Sequence, residues 1–177
     1  EMRGYMPNAD GTNEQSGAGR VSHLYDTNGD GVMDTSIVFL DDLVLPRAIA
    51  PTHGGVLIVE PPNLLFARDT SGDGVADETT VVVSGFAGLK SPEHAGNGLR
   101  YGIDNVFETS QHSRSFWFDG EDLSSRRVGA HGQWGITRDD YGRLFYSPNS
   151  DPLIGDRYPK HYAARNPETQ GLDGVPE

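Results

Sequence analysis

The stretch LYDTNGDGVMDTSIVFLDDL (residues 24–43) returns later in the chain as FARDTSGDGVADETTVVVSGF (residues 66–86). Each copy contains an acidic loop, DTNGDGVMD or DTSGDGVAD, and the two loops are 43 residues apart, from Asp26 to Asp69. In both copies the loop is followed by a run of β-branched residues, which is typical of a strand. A repeat of this length indicates an architecture built from similar small units.

A second repeated unit joins two apolar segments through a turn that contains Gly or Asp. It occurs as AIAPTHGGVLIVE (48–60), GLRYGIDNVFETS (98–110) and GITRDDYGRLFYS (135–147). Helical periodicity is nearly absent, so the chain is predicted to be all-β. The predicted strands are 20–25, 35–39, 48–50, 55–59, 64–68, 79–83, 98–101, 105–109, 115–118, 135–137 and 144–147.

Units of about 40–50 residues, each a small antiparallel sheet, predict a partial β-propeller over residues 1–156, with about three to three and a half blades. A β-sandwich is the alternative, although it does not predict the period. Propellers usually close with about four to eight blades, so the rest of the ring is expected from the same chain or from another. The tail, residues 157–177, has little periodicity and is predicted to be an extended or crossing segment.

Composition excludes several classes of function. The chain of 177 residues has no cysteine, which excludes disulfides, thiolate metal sites and covalently attached c-type haem within it. A formal net charge of −12 argues against a nucleic-acid partner. No apolar run is long enough to span a membrane. The chain starts at Glu1 without an initiator Met or a signal-like apolar run, so it is expected to be a mature, trimmed or partial product.

The two acidic loops have the oxygen spacing of a calcium site. Oxygen-bearing side chains stand at relative positions 1, 3, 5 and 9, a backbone carbonyl is available at position 7, and glycine permits the sharp turn at position 6. An EF-hand would continue to a bidentate Glu at position 12, where this chain has Ile37 and Thr80. The spacing predicts two Ca²⁺ sites that brace neighbouring strands; the alternative is a pair of solvated turns without metal. The expected ligands are Asp26, Asn28, Asp30, Val32 and Asp34 in the first loop, and Asp69, Ser71, Asp73, Val75 and Asp77 in the second.

Three loops that enter the expected inner strands point to a ligand site in the channel of the propeller. His94 and His131 stand five residues before the apolar residues Leu99 and Ile136, so they are expected to face one mouth, and Arg47 enters from the preceding blade. A neutral imidazole can take a proton from a hydroxyl, an arginine can hold an anion, and an indole can stack on a ring. Alternatively, the histidines only bond backbone atoms in Gly-rich turns. The other candidate lining residues are Asn97, Gln133 and Trp134.

The segment EHAGNGLRYGIDNVFE (93–108) resembles the His-x-x-x-x-Leu-x-x-Gly-x-Asp segment of the soluble glucose/sorbosone dehydrogenases. That resemblance implies a six-bladed propeller, the cofactors pyrroloquinoline quinone (PQQ) and Ca²⁺, and His94 as the general base. HGQWGITRDDYGRLFYSPNSD (131–151) is similar to a later blade of the same family, which implies that Asn149 and Asp151 lie near the cofactor's calcium. The chain has His131-Gly132 where those enzymes have an Arg-Asn pair.

Nearly the whole chain resembles the N-terminal propeller of the Planctomycetes-type "membrane-bound dehydrogenase" proteins. The matching motifs are the acidic loops, LPR (45–47), EPPNL (60–64), EHAGNGL (93–99) and the segment 132–151. This resemblance implies a periplasmic or secreted protein that acts on a small sugar or alcohol and passes electrons to a c-type cytochrome.

Three functions are therefore open. The first is a quinoprotein-like sugar or alcohol dehydrogenase in which His94 takes the hydroxyl proton. The second is a non-catalytic, calcium-braced propeller that binds carbohydrate or a protein partner. The third is a metal-dependent lyase or lactonase that uses the channel histidines.

Overall fold

The computed structural model describes residues 1–6, 8–169 and 175–176, and this part of the chain is built on four antiparallel sheets. The chain divides into two compact units, Glu1–Ser84 and Gly85–Glu177. No helix within the described residues is both long enough and apolar enough to cross a membrane.

The first unit contains a two-stranded hairpin and a four-stranded meander in chain order. The hairpin consists of β1 (Gly19–Tyr25) and β2 (Thr35–Leu43). The meander consists of β3 (Ala48–Thr52), β4 (Gly55–Glu60), β5 (Asn63–Arg68) and β6 (Glu78–Ser84).

The core of the first unit lies between its two sheets. Successive side chains of a strand point to opposite faces, so each sheet can offer one apolar face to the other. Full burial of each large apolar side chain contributes about 1.5–3 kcal/mol. The hairpin supplies Val21, Phe39 and Leu43, and the meander supplies Ile58, Leu65 and Ala67.

The second unit contains two four-stranded meanders. The first consists of β7 (Asn97–Tyr101), β8 (Phe107–Ser110), β9 (Arg114–Asp119) and β10 (Asp122–Arg127). The second consists of β11 (Ile136–Arg138), β12 (Leu144–Tyr146), β13 (Ile154–Gly155) and β14 (Val175–Pro176). Two 3₁₀ turns, Pro92–His94 and Pro167–Thr169, and one short helix, α1 (Lys160–Ala163), lie outside the sheets.

The all-β prediction is confirmed, and every predicted strand overlaps an observed one. Each of the three repeated units forms a hairpin: β3–β4, β7–β8 and β11–β12. The predicted extended tail includes α1, and β14 returns to pair with β13. Residues 170–174 and 177 of that tail lie outside the described residues.

Candidate functional site

His94 ends a 3₁₀ turn immediately before β7. Pro92 fixes the backbone at the start of this turn, and the His94 amide donates to the Ser91 carbonyl at 3.0 Å. The turn stops at Ala95, whose extended backbone (ψ 155°) leads the chain toward the strand. This short turn leaves the imidazole exposed to solvent.

Contacts connect His94 with Gln133, Trp134 and Asn97, which were predicted beside it, and with Asn149, which was predicted near the calcium of the cofactor. The Gln133 side-chain nitrogen Nε2 lies 2.5 Å from His94 Nδ1, and the Trp134 ring centroid is 6.1 Å from that of His94. Asn97 donates from Nδ2 to the Gln133 carbonyl at 2.8 Å. Asn149 accepts a long hydrogen bond of 3.5 Å from Trp134 Nε1. His94, Gln133, Trp134, Asn97 and Asn149 are called the His94 cluster below.

Backbone contacts hold the segment that carries Gln133 and Trp134. Both amides donate to the Ser147 carbonyl at 3.0 Å, which ties this segment to the end of β12. At Gly98 in β7, an added Cβ would lie 2.3 Å from Ile136 Cγ2 in β11. The close approach of β7 and β11 therefore sets the spacing between Asn97 and Gln133.

His131 has a different environment from His94, although the sequence predicted that both face one mouth. Its side chain is 2% exposed, with Nδ1 3.7 Å from Glu108 Oε2 and Nε2 3.4 Å from Asp156 Oδ2. Both distances fall in the range of ion pairs. The Tyr146 ring packs edge-on against the imidazole, with centroids 5.3 Å apart.

The buried carboxyl group of Glu108 has a shifted pKa. Burial raises the pKa of Glu108, and the nearby His131 and a hydrogen bond from the Ser115 hydroxyl oppose that rise. The Ser115 hydroxyl donates to Glu108 Oε2 at 2.7 Å, and the Tyr146 hydroxyl donates to Asp156 Oδ1 at 2.9 Å. The sequence had not singled out these two acids.

Arg47 and Asp151 are the remaining residues predicted for the ligand site. Arg47 belongs to the first unit, where it is half-buried, and burial lowers the pKa of its guanidinium. Asp151 is two residues from Asn149, and its carboxylate accepts from the Ser150 hydroxyl at 3.0 Å.

The two acidic loops connect hairpin strands and have closely similar internal hydrogen bonds. Asp26 accepts from the Gly29 and Gly31 amides, both at 2.7 Å. Asp69 accepts in the same way from Gly72 at 2.6 Å and from Gly74 at 2.7 Å. These backbone donors lower the pKa of both Asp26 and Asp69.

The other loop carboxylates bond within their own loops. The last carboxylates, Asp34 and Asp77, accept from the hydroxyl groups of Thr27 and Thr70, which lowers their pKa values. Asp30 and Asp73 each accept from the amide of the valine two residues on, Val32 at 2.8 Å and Val75 at 2.9 Å. Asn28 accepts from the Asp30 amide at 2.9 Å, and the Ser71 hydroxyl donates to Asp69 at 3.2 Å.

The second acidic loop also bridges the two sheets of the first unit. The Ala76 amide donates to the Phe39 carbonyl of β2 at 2.7 Å. Gly74 lies so close to β2 and the end of β1 that an added Cβ would be 3.2 Å from Ile37 Cδ1 and from the Tyr25 hydroxyl. The loop between β5 and β6 therefore packs onto the hairpin.

The donor set of each loop consists of oxygen atoms, which suits a hard cation such as Ca²⁺. Within the described residues, however, no group of three or more His, Cys, Asp or Glu side chains is arranged to hold a metal ion. In each loop the first Asp has both of its carboxylate oxygens turned to loop amides. A carboxylate oxygen that accepts a hydrogen bond from one amide still has a lone pair with which to bind a cation. To complete a cation site, the later carboxylates of the loop would have to turn toward the first Asp.

The sequence contains a signal for one of the two acids that contact His131. Glu108 interrupts the apolar segment NVFETS, where an acid at the end of a buried strand needs a partner. Asp156 follows the last short apolar segment before the tail, and spacing alone gave it no partner. Their contact with His131 depends on the tertiary packing of β8, the segment before β11 and the segment after β13.

Comparison with known proteins gives a family for the chain. No curated protein and no solved structure matches it. One family model, described as a domain of unknown function (DUF7133), matches residues 1–175. The chain belongs to the DUF7133 family.

Proposed function

We propose that this chain is the hydroxyl-binding part of a sugar or alcohol dehydrogenase, with His94 as the base that takes the hydroxyl proton. The observation that carries the proposal is the exposed His94 ring, with Nδ1 held by Gln133 and an indole beside it. A neutral imidazole held at one nitrogen can exchange a proton at the other.

Gln133 determines which nitrogen of His94 carries the proton. With its amide nitrogen on Nδ1, the imidazole proton stays on Nε2, and His94 donates to a ligand oxygen. With the amide turned by half a rotation, its oxygen accepts from Nδ1–H, and Nε2 becomes a base. The second arrangement is the one that takes a proton from a substrate hydroxyl. Gln133 is therefore proposed as a positioning residue.

Trp134 and the two asparagines supply the other contacts that a sugar needs. Trp134 is 37% exposed, so part of its ring can stack on the apolar face of a sugar. Asn97 and Asn149 are hydrogen-bonded to Gln133 and Trp134, which limits the movement of both side chains. Amide groups can both donate to and accept from hydroxyls.

The successive meanders support a propeller. Three of the four sheets are four-stranded and follow one another along the chain, as blades do. The hairpin β1–β2 carries an acidic loop like the one in β5–β6, so it corresponds to the outer half of a preceding blade. The missing blades would come from the rest of the same protein or from another chain, and the protein would act in the periplasm or outside the cell.

The oxidation also needs an acceptor for two electrons, and the family resemblance implies PQQ with a c-type cytochrome behind it. PQQ carries three carboxylates, which call for cations. The two side chains described in contact with His94, those of Gln133 and Trp134, are neutral, and His131 lies near two carboxylates. These residues alone do not fit PQQ, so no step of the proposal passes through it, and PQQ stays a prediction of the resemblance.

A non-catalytic, carbohydrate-binding module is the second candidate. The neutral character of the His94 cluster and its partly exposed Trp134 favour it, because neutral polar groups beside an aromatic ring suit an uncharged sugar. Both candidates place a hydroxyl group on His94. They differ in whether the proton transfer leads to oxidation.

The test compares binding with turnover on the full chain. Neutral sugars and alcohols are titrated by NMR, and dye reduction is followed with PQQ and Ca²⁺ added. The change His94→Gln should lower turnover at least about a hundredfold while circular dichroism stays unchanged. The matched control is His53→Gln, at an exposed histidine of the first unit, which should leave turnover intact. Sugar binding without any dye reduction would reject the dehydrogenase in favour of the binding module, and the absence of both would reject the two candidates.

A further inference from the structure

The second unit contains a cavity of about 320 Å³ that the function proposed for His94 does not use. Glu108, His131 and Asp156 line it, whereas His94, Gln133 and Trp134 do not. Its volume is within the range of about 300–1,000 Å³ that is typical of small-molecule sites. The cavity is therefore a separate candidate site within the same unit.

Three ionisable side chains that line the cavity are almost completely buried. Glu108 is 4%, His131 1% and Asp156 3% exposed. Side chains of this kind are seldom buried without partners. The tyrosine hydroxyl on Asp156 Oδ1 and the serine hydroxyl on Glu108 Oε2 each satisfy one carboxylate oxygen.

One acceptor and one donor at the cavity remain unsatisfied. Asp156 Oδ2 is buried, and no hydrogen bond reaches it from the described residues, although His131 Nε2 is 3.4 Å away. Arg138 Nε is likewise buried without an acceptor among those residues, on a side chain that is 8% exposed. Buried polar atoms are nearly always hydrogen-bonded, so a ligand that can both donate and accept fits this pair.

The charges around the cavity favour a neutral ligand. Neither sign of charge dominates the cavity, because three carboxylates and four cationic side chains line it: Asp104, Glu108 and Asp156, and Arg138, Arg143, Arg157 and Lys160. Lys160 already donates to the Ala130 carbonyl at 2.6 Å, so its ammonium is partly occupied. A hydroxyl group can donate to a carboxylate and accept from a guanidinium at the same time.

The rim of the cavity adds aromatic faces. Tyr141 is 90%, Tyr158 39% and Tyr162 56% exposed, and all three line the cavity. Exposed aromatic rings beside a polar interior suit a sugar, which has an apolar face and a hydroxyl-bearing edge. We propose that this cavity binds a neutral monosaccharide unit, with one hydroxyl donating to Asp156 Oδ2 and an oxygen accepting from Arg138 Nε.

The proposal is tested on the full chain by amide-resolved NMR titration with glucose, galactose, mannose and xylose. Glucuronate and glucosamine serve as anionic and cationic controls of similar size. Neutral sugars should shift the amides of cavity residues such as Gly142, Leu144 and Arg157. Binding of a charged sugar in preference to every neutral sugar, or the absence of cavity shifts with all neutral sugars, would overturn the proposal.

Substitutions separate this site from the His94 cluster. Asp156→Asn keeps an acceptor for the Tyr146 hydroxyl and removes the free carboxylate oxygen, so affinity should fall at least about tenfold. Should this variant fail to fold, Tyr141→Ala changes an exposed rim residue and should also weaken binding. His94→Gln should leave the cavity shifts unchanged while removing the turnover proposed above. Cavity shifts that vanish in His94→Gln, or persist at full affinity in both cavity variants, would contradict a separate site.

Discussion

Three of the histidines in the second unit differ in what surrounds the ring. His94 is exposed, His131 lies between two carboxylates, and His112 stacks on Phe86 with ring centroids 4.0 Å apart. The His112 ring also lies 5.6 Å from that of Phe116 and is 8% exposed. A buried imidazole packed against two phenyl rings is favoured in its neutral form, because desolvation disfavours its charge.

We expect His112 to make the protein less stable at mildly acid pH. Burial lowers the pKa of His112 below its ordinary value near 6.5, so the unfolded chain takes up a proton before the folded one does. Its contribution to the free energy of unfolding is present above about pH 6.5 and is lost as the pH falls through the folded pKa. The change His112→Phe keeps the ring stack and should flatten this dependence in urea unfolding between about pH 7.5 and 5.

Two other groups with a shifted pKa, His161 and Glu108, remain in the variant. Burial also lowers the pKa of His161, which acts in the same direction, and raises that of Glu108, which acts in the opposite direction. The difference between the wild type and His112→Phe therefore isolates His112 alone. Equal slopes for the two proteins would contradict the prediction.

At the scale of elements, the sequence predicted hairpins better than single strands. The units beginning at Ala48, Gly98 and Gly135 combine β-branched or aromatic residues with Gly- or Asp-containing turns, and these local signals are sufficient to specify a hairpin. β10 escaped prediction because its residues, DLSSRR, are mostly polar and only backbone pairing to β9 makes it a strand. The helix α1 has four residues, which is too short for a periodic pattern.

The side-chain contacts of the candidate sites also differ in how far the sequence predicted them. Gln133 and Trp134 were predicted near His94 because they follow His131, which occupies the same position in its repeated unit as His94, and both contact His94 in the structure. The contact of His131 with Glu108 and Asp156 was not, since three separate segments must meet before these side chains approach. Spacing in a sequence carries information about repeated loops and carries little about which buried charges pair.

The packing of β7 against β11 should depend on Gly98. This residue has φ +62°, and an added Cβ would meet the Ile136 side chain at 2.3 Å. Gly98→Ala should lower the free energy of unfolding by about 2–4 kcal/mol, from about 1 kcal/mol of left-handed strain plus about 1–3 kcal/mol of overpacking. Urea unfolding measures the loss.

Gly120→Ala is the matched control for this prediction. Gly120 has φ +66°, but nothing lies within 4 Å of its added Cβ. Only the strain of about 1 kcal/mol should appear there. The Gly98 variant should also weaken ligand binding at His94, because neighbouring Asn97 holds the Gln133 carbonyl. Equal losses of stability in the two variants would show that the contact with Ile136 is relieved without cost.

At the scale of the whole molecule, the acidic loops and the candidate ligand sites belong to different units. The net charge is −12, and both acidic loops belong to the first unit. The candidate sites at His94 and at the cavity belong to the second unit. A cation bound in the loops would therefore stabilise the first unit, while the proposed proton transfer and sugar binding belong to the second.

Calcium should consequently protect the first unit from hydrogen exchange and leave the second unit nearly unchanged. A cation that binds only the folded loops stabilises them by mass action, and the second loop transmits this to both sheets through the Ala76–Phe39 hydrogen bond. Amide exchange measured with Ca²⁺ and with EDTA should differ most in β1, β2, β5 and β6, and EDTA should lower the melting temperature. The double variant Asp30→Ala, Asp73→Ala should lose both effects. Exchange rates that are the same with Ca²⁺ and with EDTA would contradict calcium binding in the loops. Equal protection of both units would contradict a stabilising effect that is limited to the first unit.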